Sequence, residues 1–404
     1  MPPRRLRLGI AGLGRAFSIM LPAFASDKVE IVAGADPRAE AREQFGQEFQ
    51  ARTYATVEEM CADHAVEAVY VSTPHQFHCD NVRSAAQHGR HVLVEKPMAL
   101  TLADCQTMID TARAAGIVLI IGHSHSFDLP ILKTREIIAS GAVGELKMIT
   151  SAYFTDFLYR PRRPEELDTA QGGGVMYNQA PHQVDVARLL GGGLVKSVRA
   201  NLGAWDPARR TEGAYQALLT FQNGATASLT YSGYAHYDGD ELMEGIAESG
   251  LPKDPSRYGA ARRALAGAST QDDEEQIKNE TNYGGGRYAG PQHRGAGART
   301  ERFHQHFGLV VASCEHADLR PTAKGVHIFA DTERRFEQLR RPAIYRDEVI
   351  DELYGAVREG APVVHSGEWG MATMEVCLAM LESHRSGREI TLKHQVPVAE
   401  RRGA

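Results

Sequence analysis

Residues 6–17, LRLGIAGLGRAF, decide the fold of this chain. The apolar run 6–11 reads as a strand and passes directly into Gly12-Leu13-Gly14, after which a helix-like stretch begins. Two glycines in that place make the turn of a dinucleotide-binding βαβ unit. Gly12 permits the tight bend, and Gly14 lets the backbone approach a pyrophosphate that rests on the helix N-terminus. Arg15, Ala16 and Phe17 complete the turn, although Phe17 stands at the third fingerprint position, where Gly or Ala is usual. An acidic residue is expected at the end of the second strand, and Asp36 closes the run Ile31-Val32-Ala33-Gly34-Ala35. Its carboxylate can accept hydrogen bonds from ribose hydroxyls and would repel a 2′-phosphate, which favours NAD. Arg38 can accommodate that phosphate, so NADP stays open. Asp36-Pro37 is also a good helix start, and a plain cap is the alternative reading.

Outward from this stretch, apolar runs at 29–35, 68–72, 91–94 and 118–122 alternate with amphipathic stretches at 38–49, 80–88 and 103–115. The alternation predicts a doubly wound parallel sheet, an α/β Rossmann domain over residues 1–123. Beyond it the order changes. A helix is expected at 131–140, a strand at 146–157, a helix after Gly172-Gly173-Gly174, and strands at 197–202, 215–221 and 226–231. Gln222-Asn223-Gly224-Ala225 joins the last two as a hairpin turn. Grouped strands predict an α+β domain, residues 124–404, on a largely antiparallel open sheet. Residues 243–302 are polar and rich in Gly, Arg and Glu, an insertion either mobile or folded over the site. Helical periodicity returns at 347–358 and 369–384.

Composition narrows the function. With 404 residues, 43% hydrophobic and 24% charged, the chain suits two ordinary globular domains. A net charge of −6 without a long Lys/Arg run argues against a nucleic-acid partner. No apolar stretch approaches the roughly 18 residues of a membrane span. Basic residues precede the first apolar run as in an export signal, but glycines break that run where a βα turn belongs. Cys61, Cys79, Cys105, Cys314 and Cys377 are scattered without CxxC spacing, which suits the reduced thiols of a cytoplasmic protein.

Two further segments stand where strands of the first sheet should end, the place where open α/β sheets bind ligands. They are Thr73-Pro74-His75-Gln76-Phe77-His78 and Glu95-Lys96-Pro97. A lysine is most often a solvated surface residue, whereas one at a strand end, followed by proline, points toward a cofactor. Together with the GxG turn, and in this order, these segments resemble the glucose–fructose oxidoreductase, inositol dehydrogenase and MocA superfamily over nearly the whole chain. The resemblance implies that Thr73, Pro74, His75, His78, Glu95 and Lys96 lie by the cofactor, with Lys96 near the nicotinamide and assisting proton transfer. The family's second-domain motif, a glycine run followed by D-x-x-x-H, matches 172–185, with Asn178 in place of the Asp and His182 keeping the His. Four apart, the two would share one face of a helix. His182 is the candidate general base, since an ordinary imidazole titrates near neutrality. Asn178 can position a hydroxyl or orient His182 but cannot ionise. The choice of principal base between Lys96 and His182 stays open, and a structural histidine at a helix start is the bland reading of His182.

Where the family often carries two arginines, this chain has Gly122-His123-Ser124-His125. Both histidines can face one side of an extended segment and line a substrate pocket. No carboxylate or cysteine cluster accompanies them in sequence, so no metal is expected. Tyr159-Arg160-Pro161-Arg162-Arg163-Pro164 offers three arginines that can clamp carboxylates, with a solvated basic loop or subunit contact as the alternative. These features and His304-Gln305-His306-Phe307-Gly308 are most similar to the branch containing phthalate 4,5-cis-dihydrodiol dehydrogenases. The expectation is NAD-dependent oxidation of a carboxylated cyclic diol to a catechol. Substrate contacts would come from His123, His125, Tyr159, Arg160, Arg162, Arg163, Asn178 and His182. A sugar or inositol dehydrogenase and a non-catalytic dinucleotide-binding regulator are the alternatives. Retention of Lys96 and His182 argues against the regulator. By resemblance the assembly is a homodimer or homotetramer.

Overall fold

The computed structural model describes residues 4–268, 270–286, 288 and 302–399, so the insertion expected at 243–302 lies partly outside the described residues. The first sheet is built from β1 (Leu6–Ala11), β2 (Val29–Ala35), β3 (Arg52–Tyr54), β4 (Ala68–Val71), β5 (His91–Val94) and β6 (Leu119–Ile121). Its order is β3-β2-β1-β4-β5-β6 with every pairing parallel. The order reverses between β1 and β4, so the carboxyl ends of those strands open the ligand crevice. The connections are α1 (Arg15–Met20), α2 (Ala39–Phe49), α3 (Val57–Ala62), α4 (His78–Gln87) and α5 (Leu102–Ala115). Two of these elements go beyond the sequence reading. The strand β3 is a three-residue edge, and α3 is announced only by the reciprocal Thr56/Glu59 capping box.

Strand alternation divides the apolar side chains between two faces. Val69, Val71, Val92, Val94 and Ile121 join Met60, Val82, Cys105 and Met108 from α3, α4 and α5. Leu6, Leu8, Ile10, Tyr70, Leu93 and Ile120 join Phe17 and Phe45 from α1 and α2. This second face is completed by Val349, Ile350 and Leu353 of a helix that returns from far along the chain. The expected division at residue 123 therefore omits a piece of the first domain's core. The packing also corrects the reading of Phe17. Its ring is fully buried against Phe24, Phe45, Phe49 and Tyr283, so the side chain belongs to the core.

The second sheet contains β7 (Leu146–Phe154), β8 (Val195–Gly203), β9 (Ala214–Phe221), β10 (Thr226–Ser232), β11 (Leu309–Cys314), β12 (Ala317–Thr322), β13 (Gly325–Ala330), β14 (Arg334–Gln338) and β15 (Ile390–Thr391). The order is β14-β13-β12-β11-β7-β10-β9-β8-β15, antiparallel except for β7 with β10. Helices α6 (Leu129–Ala139), α7 (Gly174–Asn178), α8 (Ala180–Gly191), α9 (Ala260–Ala266), α10 (Gln271–Asn279), α11 (Asp347–Tyr354) and α12 (Gly367–Ser386) complete the described fold. The helix α8 is buried along its length. A buried polar knot ties it to α12. Asp185 accepts hydrogen bonds from Trp369 Nε1 (2.5 Å), Thr373 Oγ1 (2.7 Å) and the Ser126 hydroxyl, while Arg188 donates to Trp369 O (3.0 Å) and Thr373 Oγ1 (2.7 Å).

The described part of the insertion straps the second domain to the first. At one end Glu274 pairs with Arg209 (2.6 Å) and Lys278 with Glu166. At the other, Tyr283 Oη donates to Glu48 (2.7 Å) and Arg15 Nη1 donates to Thr281 O (3.2 Å). No helix among the described residues is long and apolar enough to cross a membrane.

Candidate active site

The glycine turn has the shape a dinucleotide needs. Gly12 has φ +89°, and a Cβ there would meet Thr73 N at 2.9 Å and Ser72 O at 3.0 Å, so only glycine lets β1 and the end of β4 close up. At Gly14 no atom comes within 4 Å of where a Cβ would stand, which leaves bare backbone facing the crevice. Asp36 accepts from Leu13 N (2.8 Å) and from Arg38 Nε (2.9 Å), while Arg38 Nη2 donates to Leu13 O (2.5 Å). This bracket fixes the turn against the end of β2. Ala16 lies behind the turn, partly buried. The residues fit a dinucleotide.

Above β4 and β5 the side chains divide into positioning and reacting groups. His78 is fully buried, with Nδ1 3.1 Å from Pro97 O and Nε2 3.0 Å from Thr73 O. Both ring nitrogens are occupied by backbone, so His78 latches the 73–78 segment to the Lys96-Pro97 loop. This corrects its expected role as a cofactor contact. Thr73 accepts from Asn81 (2.8 Å) and Pro74 opens the turn that carries His75. Burial, followed by the neighbouring His78 and Lys96 charges, lowers His75 well below the usual imidazole range. Glu95 accepts from Tyr70 Oη (2.5 Å), and burial raises its pKa.

Lys96 donates from Nζ to the backbone carbonyl of Asn178 (2.9 Å). Burial lowers its pKa, against the pull of Glu95 and Glu248. The Asn178 side chain is turned away from chemistry and donates to Gly174 O (2.9 Å). The expected single helix carrying Asn178 and His182 is also corrected. The chain breaks at Gln179, and α8 starts afresh with Pro181, which brings no N–H, in its first turn. Asn178 thus serves through its carbonyl, by holding Lys96. His182 is 7% exposed, and its Nδ1 is buried without a partner among the described residues. Its ring centroid lies 4.8 Å from His125 and 5.1 Å from Phe307. Burial, then the charges of Lys96, His125 and His123, lower its pKa well below the usual value, so it is a neutral imidazole at neutral pH.

The structure supplies the carboxylates that the sequence did not place beside the histidines. Asp128 lies 2.6 Å from His125 Nδ1 and 3.3 Å from His123 Nε2, and Glu248 lies 3.4 Å from His125 Nε2. Burial works against the charged form of His125, but Asp128 and Glu248 outweigh it and raise its pKa to about 9. His123 also meets Asp128, but burial and then the charge of Arg346 outweigh it and lower its pKa to about 3. His125 is therefore a fixed cation and His123 a neutral neighbour. Among the described residues no group of three or more His, Cys, Asp or Glu is arranged to hold a metal ion. Phe307, unassigned a role in the sequence, packs on His125, His182, Tyr153 and Tyr231, and lies nearly parallel to Tyr231 (10°).

The arginine clamp is corrected as well. Arg162 stacks on Phe157 (3.7 Å), donates to Phe157 O (2.9 Å) and faces Glu166, while Arg163 pairs with Glu165 (3.0 Å) and Arg160 with Asp156 (3.2 Å). Arg162 uses its terminal nitrogens on the chain itself, and Arg160 and Arg163 are tied to carboxylates through Nε. Tyr159 lies under Arg262 and lines a surface concavity of about 520 Å³ with Trp205, Tyr234 and His236, a lining that includes none of Lys96, His123, His125 or His182.

Comparison with known proteins fits this geometry. Residues 6–123 match the oxidoreductase family model with an NAD-binding Rossmann fold, and residues 131–249 match the GFO/IDH/MocA C-terminal domain. The chain belongs to the GFO/IDH/MocA oxidoreductase family. It is 48% identical over 379 residues to a 1-carboxy-3-chloro-3,4-dihydroxycyclohexa-1,5-diene dehydrogenase of Comamonas testosteroni, covering 93% of this chain and 94% of the relative. A myo-inositol 2-dehydrogenase of Thermotoga maritima is 29% identical over 257 residues, covering 61% of this chain and 74% of the relative. A solved structure from Bordetella bronchiseptica RB50 superposes with a TM-score of 0.90 at 40% identity, covering 96% of this chain and all of that one. This family member is an oxidoreductase.

Proposed function

We propose that the protein oxidises a carboxylated cis-dihydrodiol to the corresponding catechol, with NAD as hydride acceptor. The observation that carries the reading is the meeting of Lys96 and neutral His182 against a flat aromatic wall, Phe307 and Tyr231, in a chain 48% identical to a carboxy-dihydroxycyclohexadiene dehydrogenase. The Gly12–Gly14 turn and Asp36 would hold the dinucleotide, which supplies the hydride acceptor when bound. Lys96, its pKa lowered by burial and its amine anchored on Asn178 O, takes the hydroxyl proton once it has lost its own. His182 supplies a second unprotonated nitrogen, suited to the ring proton that must leave before the product becomes aromatic. Phe307 and Tyr231 give a planar ring a surface to lie on.

Asp36 supports NAD, because its carboxylate stands where a 2′-phosphate would be repelled and it already engages Arg38. Asp36→Ser should free Arg38 and shift the ratio of kcat/KM from NAD+ toward NADP+ by about tenfold or more, the scale of one charge-assisted contact. Assembly as a homodimer or homotetramer is supported by the outer face of the second sheet. Strand register places the exposed Met148, Leu218, Phe329 and Phe336 on that one face.

The deciding experiment follows absorbance at 340 nm with NAD+ and either benzoate- or phthalate-type cis-dihydrodiols, uncarboxylated dihydrodiols, inositol or glucose. NADH formation confined to carboxylated dihydrodiols is expected. Turnover of polyols alone would replace the aromatic reading with a sugar or inositol dehydrogenase.

A further inference from the structure

The sequence offered Arg160, Arg162 and Arg163 for a substrate carboxylate, and the structure pairs each of them with a carboxylate of the chain. A different arginine stands by the reacting groups. Arg346 adopts a left-handed backbone (φ +63°), rare for a residue with a side chain, just before α11. Strained positions of this kind concentrate at functional sites. Its side chain is held by one residue from a distant segment. Arg346 Nε donates to Gln305 Oε1 (3.0 Å), and the same amide donates from Nε2 to Tyr345 Oη (2.6 Å). With both ends of the Gln305 amide used, the guanidinium plane is fixed.

The forward fork of Arg346 remains. Among the described residues neither Nη atom has a hydrogen bond and no carboxylate lies within ion-pair distance of it. Its anchor Gln305 lies two residues before Phe307, whose ring centroid is 5.1 Å from both His125 and His182, and its charge acts on His123, Lys96 and His182. The anions nearby are already committed. Asp128 serves His123 and His125, Glu248 serves His125, and Glu95 accepts from Tyr70. Lys96 and Arg346 are held by neutral oxygens alone. A guanidinium with no carboxylate within ion-pair distance among the described residues can take an anion from the ligand, and its planar fork suits a carboxylate.

We propose that Arg346, oriented by Gln305, receives the ring carboxylate of the substrate. This rests on the reading of the substrate as a carboxylated cyclic diol, and gives the His304-Gln305-His306-Phe307 segment one task in two parts: Phe307 backs the ring and Gln305 aims the arginine.

The test uses the full-length protein with NADH and measures equilibrium binding of 3,4-dihydroxybenzoate and of catechol, beside turnover of carboxylated and uncarboxylated cis-dihydrodiols. Wild type should prefer the carboxylated ligand, and Arg346→Gln should lose about ten- to a hundredfold of that preference while binding catechol as before. In turnover the loss should appear in KM and be about ten- to a hundredfold larger for the carboxylated diol than for the uncarboxylated one. Arg346→Lys keeps the charge without the fork and should fold and lose about tenfold. Gln305→Ala should weaken the preference and leave catechol binding intact. The proposal is overturned if wild type shows no carboxylate preference, if Arg346→Gln keeps it or loses both ligands equally, or if Arg346→Gln cannot be prepared and Arg346→Lys matches wild type. A wild type that turns over no dihydrodiol would sink the functional reading, while the binding comparison would still judge the anchor.

Discussion

Lys96 and His182 are both buried bases, but burial acts on them from opposite starting points. A lysine lowered from its usual range moves toward neutrality, where a proton acceptor is most effective, whereas a histidine lowered from its own becomes the weaker of the two bases. Turnover should therefore rise with pH through a pKa below the roughly 10.4 of a free lysine, because the amine must lose its proton before it can take one. Lys96→Met should cut kcat by about a hundredfold to ten-thousandfold and abolish that limb, while His182→Asn should leave the limb in place. His125 answers to stability. Its folded pKa of about 9 stands above its unfolded value, so its contribution is complete below about pH 6.5 and is lost as pH rises through about 9. His123 and His182, lowered on folding, act in the other direction and lose stability as pH falls below about 6.5. In thermal melts from pH 6.5 to 9, wild type should lose about 2–4 °C more than His125→Gln.

At the level of elements, α8 is the part whose two ends do different work. Its first turn presents His182 to the site, and one turn later Asp185 and Arg188 fasten it to α12. Asp185→Ala would leave Arg188 buried beside Trp369 without its anion, and should destabilise the fold by about 3–5 kcal/mol in urea unfolding. Five strands of the first sheet, β1, β2, β4, β5 and β6, were legible because strands covered on both faces read as near-continuous apolar runs between amphipathic stretches. The edge strand β14, Arg334-Arg335-Phe336-Glu337-Gln338, has one apolar residue and no such signature. The break at Gln179 was announced by Pro181 and overridden in the reading by the family motif. Lys96 and His182 could be read from motifs, each beside its own proline. Glu248, Arg346 and Gln305 could not, since what makes them a site is the folding together of segments far apart in the chain, whereas Asp128 lies only three residues from His125 and was open to the reading. The left-handed backbone of Arg346 leaves no trace in sequence.

The whole molecule is fastened across its crevice by more than the domain connection. The insertion passes from Arg209 and Glu166 to Glu48 and Phe17, and Tyr283 is the peg at its far end. Tyr283→Ala removes a ring that is 1% exposed, at a local cost of about 3–5 kcal/mol. Because the loss falls on an outlying segment, the expected result is faster proteolytic nicking within 271–288 with kcat preserved at saturation. Unchanged nicking would mean that α10 alone holds the strap.

The return of α11 to the first sheet has a consequence for recombination. Residues 4–123 look like a portable nucleotide-binding cassette, yet Val349, Ile350 and Leu353 are the lid of its hydrophobic face. Expressed alone, that cassette would show Leu6, Leu8 and Tyr70 to water and should aggregate. A chimaera made by exchanging it between relatives has to carry 347–354 along, so the natural crossover unit in this chain is discontinuous.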